Sequence, residues 1–242
     1  MNDGQTVNQT ATGKITLVER AMTAVRDYIR DNDLKVGDAL PGEGKFAADL
    51  EVSRAVMREA FGALAALRQI DVANGRRARV AAIDGSVMAS SLDHAVATAQ
   101  VSVVDVWDVR RTLELRTVGL AAQNRSEAQA RQIMAAAEAM TEAAGDLARL
   151  SEADVEFHHA IAEASGNPLF HQIVRSFNRL MDVAVPRAWQ TRQTDGQRLE
   201  MLELHRDVAR AIADRDTARA VALMDRHFDT SIADLMRMRE PN

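Results

Sequence analysis

The sequence predicts a mainly α protein in two parts: a small N-terminal group of helices closed by a β-hairpin, then a C-terminal bundle made only of helices. Three observations predict it. Apolar residues recur at helical spacing along most of the chain. The one stretch that switches to alternation, with an Asn-Gly pair at its centre, lies at 70–80. And although 47% of the 242 residues are apolar, only 4% are aromatic, a balance that favours helix-on-helix packing over a sheet-rich fold.

The same composition excludes several classes. With no cysteine, disulfides and thiolate metal sites are ruled out, and a reducing compartment is the natural setting. No apolar run approaches the roughly 20 residues a membrane helix needs. Residues 1–13 are polar, lack a signal-like apolar core and read as a disordered lead-in, so the protein is expected in the cytoplasm. The net charge is −5, yet it is unevenly placed. Residues 1–85 carry 12 Lys+Arg against 12 Asp+Glu, and within 53–80 six arginines face only Glu59 and Asp71. A local basic face on an acidic protein suffices for phosphate contacts.

In the N-terminal part, Leu17, Val18, Ala21, Val25, Tyr28 and Ile29 predict a first helix over 15–31. Gly37, Pro41, Gly42 and Gly44 interrupt it. A short helix is expected over 43–50, then a turn, then a third helix to about Arg68, with Ser53 as its N-cap. Ile70 and Val72, the Asn74-Gly75 turn and the returning Val80 predict a tight hairpin. Three helices followed by a hairpin is the order of a winged helix-turn-helix, here placed at 14–82.

Residues 83–103 read as a linker with a short helix. The domain at 104–238 reads as six helices: 104–124, 126–144, 151–165, 168–185, 194–213 and 217–238. Ser126 and Ser151 stand at N-cap positions, Asn167-Pro168 is a cap followed by proline at the first helical position, Gly145 and Gly166 end helices, and Pro186 stops or kinks one. Six antiparallel helices make a bundle.

The third helix is the one expected in a DNA major groove. Its tip carries Ser53, Arg54, Ala55 and Arg58, with Arg54 and Arg58 four apart on one face. Arginine suits guanine or phosphate through its fork of donors, and Ser53 with the open backbone amides can add phosphate contacts. Gly75 permits close backbone approach in the wing, beside Arg76, Arg77 and Arg79. Any one of these arginines, taken alone, is equally well a solvated side chain. Together, "VGDALPGEGKFAADLEVSRAVMREAFGALAA" and "IDVANGRRARV" resemble the GntR family of regulators over 18–80. The resemblance implies that Ser53, Arg54, Ala55, Val56, Arg58, Asn74 and Gly75 match DNA-contacting positions. One departure stands out: where the family usually has a DNA-contacting arginine after the glutamate, this chain has Gly44, and the neighbouring Lys45 is the candidate for a phosphate contact.

Asp154 and His158 are spaced i, i+4 and face one side of a helix. His205 and His227 fall on two later helices among apolar neighbours. One carboxylate and three imidazoles converging in a bundle would make a site for a divalent transition metal, zinc foremost, with manganese or nickel also suited. Spacing of this kind also arises from surface polarity. The segments "VRRTLELRTVGLAA", "EADVEFHHAIAEASGNPLF", "LHRDVARAIADRDTARA" and "DRHF" resemble the FCD ligand-binding domain of the FadR subfamily of GntR regulators, over 104–236. That resemblance implies metal ligation by Asp154, His158, His205 and His227, and makes Arg110, in "RRTLE", a pocket residue able to clamp a carboxylate. His159 reads as facing away, His171 as a helix-surface residue, Trp107 as core or interface, and Trp189 as part of a loop after Pro186.

These features together predict a homodimeric, metal-containing repressor that reads an inverted repeat in double-stranded DNA and releases it on binding a small organic acid. The rival from another class is a metal-dependent hydrolase or lyase. It needs a general acid or base beside the metal, and Glu156, about 200° around the helix from Asp154, points away. A purely structural metal and an acyl-CoA effector are the alternatives within regulators; the intact quartet argues against the second.

Overall fold

A computed structural model describes residues 15–237, with side chains through Ile232. The expected disordered stretch at 1–13 and the end of the last helix at Met238 lie outside the described residues. The chain divides into two compact units at Ile83 and Asp84.

In the first unit, α1 (Leu17–Asp31) opens on a capping box: the Thr16 hydroxyl accepts from the Glu19 amide at 3.1 Å while the Glu19 carboxylate accepts from the Thr16 amide at 2.8 Å. Helices α2 (Glu43–Asp49) and α3 (Arg54–Ala66) follow, and both α1 and α2 pack on α3. The core is Val25, Leu40, Met57, Leu64 and Ile70 with an edge-to-face run of Tyr28, Phe46 and Phe61, centroids 5.3 and 5.9 Å apart. Strands β1 (Ile70–Asp71) and β2 (Arg79–Val80) pair antiparallel, Ile70 with Val80 and Asp71 with Arg79.

The wing departs from the tight hairpin expected. Asn74-Gly75 does turn, with Gly75 at φ +71° and the Arg76 amide donating to Ala73 O at 3.2 Å, but at the tip of a loop spanning 72–78. The reason lies in a third segment. Residues 37–40 run along β2: Leu40 N donates to Ala78 O at 2.8 Å, Val80 N to Asp38 O at 3.0 Å, and Gly37 N to Val80 O at 2.8 Å. Ala78 is thereby drawn into the core and Val72 is left exposed outside the ladder.

The second unit holds α4 (Ser86–Ala97), α5 (Val103–Asn124), α6 (Glu127–Glu142), α7 (Leu147–Ala164), α8 (Pro168–Arg175), α9 (Asn178–Gln190), α10 (Asp195–Ala213) and α11 (Thr217–Arg237). Ser102, Ser126 and Thr194 each close a capping box, and Asn167 caps α8 ahead of Pro168. Three expectations change here. Helix α7 begins four residues before Ser151, because Asp146 accepts from the amides of Ala148 and Arg149; Ser151 is buried inside the helix. The helix expected at 168–185 is two, broken at the buried Ser176 and Phe177, and α9 runs through Pro186 rather than stopping there. The segment expected as a linker with a short helix is mostly helix, α4, which packs on α8 and α9 with Ala89 buried and Leu92 and Val96 against the core.

Five helices end in the same way. After α1, α2, α3, α4 and α10, the residue past the C-cap is left-handed and is not glycine: Asp33, Glu51, Arg68, Ala99 and Arg215, with φ between 51° and 59°. Each closes a Schellman pair, as in Leu34 N to Ile29 O with Asp33 N to Arg30 O. Only α7, among the described helices, uses glycine there, Gly166 at φ +76°.

Candidate metal centre

Helices α7, α10 and α11 each send one histidine into the interior of the bundle. His158, His205 and His227 are all buried, and a nitrogen from each lies within 4.8 Å of the others. The ring centroids are 4.6 Å apart for His205 and His227, and 5.1 Å for His158 and His227. Asp154, one turn before His158 and also buried, places Oδ1 3.3 Å from His205 Nε2. The quartet singled out from the sequence is therefore one cluster in space, backed by the edges of Phe157 and Phe228.

The hydrogen bonds fix which nitrogens are available. His205 Nδ1 donates to Met201 O at 2.8 Å, so in the neutral ring Nε2 keeps its lone pair. His158 Nδ1 is bonded to the Glu114 carboxylate. His158 Nε2, His205 Nε2 and His227 Nδ1 are buried with no hydrogen-bond partner among the described residues. Leaving such a nitrogen unpaired costs about 1–3 kcal/mol each, so three side by side are a costly arrangement unless something binds them. Burial, then the neighbouring His205 and His158, push His227 well below the usual histidine range, which keeps it neutral and able to ligate. Burial would raise the Asp154 carboxyl, but the contact from His205 and the fields of the three histidines outweigh it and hold it well below the usual carboxylate range. This donor set, one carboxylate and three imidazoles, fits a divalent transition metal.

Arg110 sits on the wall of the same cavity. Its guanidinium is buried, 5.1 Å from the Trp107 ring and 5.6 Å from Phe228, and its Nε donates to Glu114 at 2.6 Å. Trp189 is not in a loop: it lies in α9, buried, and lines the cavity with Arg192 stacked on it at 5.1 Å. Trp107 is buried in the same lining, and Ser231 contributes to the wall from α11. The space left is small, about 30 Å³. His159 is turned away and bonds Asn178 Oδ1 at 2.6 Å, His171 meets it edge-on at 6.2 Å, and His94 is exposed on α4. Sequence reasoning missed Glu114, Arg192 and Ser231 as site residues; only Glu114 carried a signal, as the turn-later partner of Arg110.

In the first unit, Ser53 caps α3 by accepting from Val56 N at 3.2 Å. Ser53, Arg54, Ala55 and Arg58 are exposed and Val56 is half-buried. Asn74, Gly75, Arg76 and Arg77 are all exposed on the wing loop. Lys45 is paired with Asp49 at 2.9 Å, and Arg79 donates to Gly37 O, which ties the wing down. A Cβ at Gly44 would lie 4.0 Å from Nε and Nη2 of Arg54, so the Arg54 guanidinium lies beside that position.

Residues 17–80 match the bacterial regulatory proteins of the gntR family, and 105–230 match the FCD domain. The chain is 30% identical over 214 residues to the transcriptional regulator LutR of Bacillus subtilis, covering 86% of this chain and 95% of LutR. It is 28% identical over 174 residues to the transcriptional repressor NanR of Cronobacter sakazakii, covering 70% of this chain and 66% of NanR. Among solved structures, a GntR protein of Streptococcus agalactiae shares the fold with a TM-score of 0.61 at 24% identity, over 88% of this chain and 98% of that one. The matched families and relatives are transcriptional regulators, not enzymes, and the chain belongs to the GntR family as a DNA-binding regulator with an FCD domain.

Proposed function

We propose that this regulator is a homodimeric repressor whose hold on its operator is set by a small organic acid bound at a divalent metal in the FCD domain. Asp154, His158, His205 and His227 hold the cation, zinc foremost, with manganese or nickel also suited to the donors. A bound cation supplies open coordination positions that a carboxylate can take. Arg110 clamps the acid from the α5 side. The observation that carries this reading is the trio of buried imidazole nitrogens without partners, lining one small cavity beside Arg110. The tight space favours an acid of a few heavy atoms over an acyl-CoA.

At the other end, two winged units read the half-sites of an inverted repeat. Arg54 and Arg58, with Ser53, Ala55 and Val56 at the tip of α3, meet the major groove. Arg54 supplies the positive charge beside Gly44. Asn74, Gly75, Arg76 and Arg77 on the wing loop approach the neighbouring groove, and Lys45, relieved of Asp49, meets a phosphate. The acid must bind one arrangement of the dimer better than the other, and the change passes through the junction at Ile83 and Asp84. Repression is supported by the naming of NanR as a repressor.

The test is a thermal-unfolding screen against small carboxylic acids, before and after stripping the protein of metal, followed by gel shifts with the operator. Binding to the native state raises the midpoint. The expected result is a shift from one class of acid that vanishes on stripping, with weakened operator binding. Shifts that survive stripping, or none from any acid, would overturn the metal–carboxylate reading.

A further inference from the structure

Glu114 belongs to no ligand set, yet it is buried at 2% exposure and touches both halves of the site. It stands one turn after Arg110 on α5. One carboxylate oxygen accepts from Arg110 Nε at 2.6 Å, and the other meets His158 Nδ1. Its buried ion pair with the Arg110 guanidinium keeps it a carboxylate, a group that only accepts.

An acceptor at Nδ1 decides the state of the histidine. A neutral imidazole carries one N–H, and if that N–H is held on Nδ1 the lone pair is on Nε2. Nε2 is the very atom of His158 that is buried without a partner among the described residues. The same carboxylate fixes the Nε edge of Arg110, while Nη1 meets Met181 Sδ and Nη2 is the terminal nitrogen left for an anion.

We propose that Glu114 is the positioning residue of this site: through one carboxylate it sets His158 as the Nδ1–H tautomer and anchors Arg110, so that cation binding and anion binding are coupled. This rests on the metal–carboxylate reading above. The coupling is reciprocal, since any factor by which an acid raises metal affinity must equal the factor by which metal raises acid affinity. The wild-type side chain can only accept. A glutamine can present either its oxygen or its amide N–H to Nδ1, so it no longer specifies the tautomer.

The experiment uses the full chain and two readouts. Long-range proton–nitrogen NMR on the metal-free protein reports the tautomer of His158, and competition with a chromogenic chelator reports zinc affinity. The wild type is expected to show the Nδ1–H form. Glu114→Gln is expected to lose that single form and to bind zinc about 10- to 100-fold more weakly, the range found when a ligand's supporting hydrogen bond is removed. If Glu114→Gln does not fold, Glu114→Asp, which withdraws the acceptor by one methylene, is read instead and should move both in the same direction. An unchanged tautomer, or unchanged zinc affinity in a wild type that binds zinc, overturns the proposal. A wild type that binds no zinc removes the metal reading itself, and the tautomer then decides the positioning role alone.

Discussion

Arg125 and Arg215 cap each other's helices. Arg125, just past the end of α5, donates from Nε to Ile212 O at 3.4 Å and from Nη2 to Ala213 O, the last carbonyls of α10. Arg215, just past the end of α10, donates to Gln123 O at 2.7 Å and Arg125 O at 2.9 Å, the last carbonyls of α5. Each positive side chain also meets the negative end of the helix it caps. Because Arg125 is 6% exposed and Arg215 lies at the surface, the two are unequal. Arg125→Ala should cost about 2–3 kcal/mol, because Ala213 O loses its donor and the space of a buried guanidinium is left behind, and Arg215→Ala about 1 kcal/mol. Urea unfolding of both variants checks the order; a costlier Arg215→Ala would contradict it.

Gly85 caps α4 in the left-handed region, and a Cβ there would stand 2.5 Å from the backbone oxygen of Gln172 on α8. Backbone cannot yield as a flexible side chain does. Gly85→Ala should therefore loosen α4 from α8, at a cost of about 1–3 kcal/mol. Hydrogen exchange should rise across 86–97 while α5 and α7 keep their protection. Equal protection in both proteins would show that the start of α4 tolerates the shift.

On the DNA side, the arginines divide by what already holds them. The Arg58 side chain is 79% exposed, with Glu43 at the long distance of 4.0 Å, and Arg54 is also exposed. Arg58→Ala and Arg54→Ala should each weaken operator binding about tenfold or more, and a phosphate contact among them would lower the salt slope by about one. Arg79 is spent on Gly37 O, so Arg79→Ala should act by loosening the wing. Binding titrations at several salt concentrations, with thermal melts alongside, separate the two effects.

A fourth prediction concerns acid. Burial lowers the pKa of His171 from its usual value; Arg175 adds to this, while Glu163 and Glu156 oppose it, and His159 lies edge-on beside it. The unfolded chain therefore takes up this proton first. The contribution of His171 to stability is complete above about pH 6.5 and falls as the pH drops through that value towards the folded-state pKa. Denaturation midpoints between pH 7.5 and 5.5 should decline, and His171→Gln should flatten the decline. An identical slope in the variant would assign the acid sensitivity elsewhere.

Much of this architecture is written in local chemistry. Ser126, Thr194 and Asn167-Pro168 mark helix starts because capping needs those side chains at that place, and Asp154 and His158 share a face because i, i+4 spacing leaves no other choice. The rest depends on partners distant in sequence. Arg110 and Glu114 read like any pair on a helix surface; only packing against Trp107, Phe228 and His158 makes them interior. The wing loop is long because residues 37–40 take hydrogen bonds that a tight hairpin would have kept. Trp189 falls in a helix because α9 continues past Pro186, which no residue-by-residue propensity predicts.

The five helix ends closed by Asp33, Glu51, Arg68, Ala99 and Arg215 leave stability in reserve. Each holds an L side chain where glycine fits without strain. After allowing for glycine's looser unfolded chain, a glycine there is worth about 0.5–1 kcal/mol. Arg215 is spoken for by α5 and Asp33 pairs with Lys35, but Glu51 and Ala99 belong to different compact units, so the gains of glycines at those two should add. An engineer seeking a hardier form of this regulator could begin with those two glycines, leaving the histidine cavity untouched.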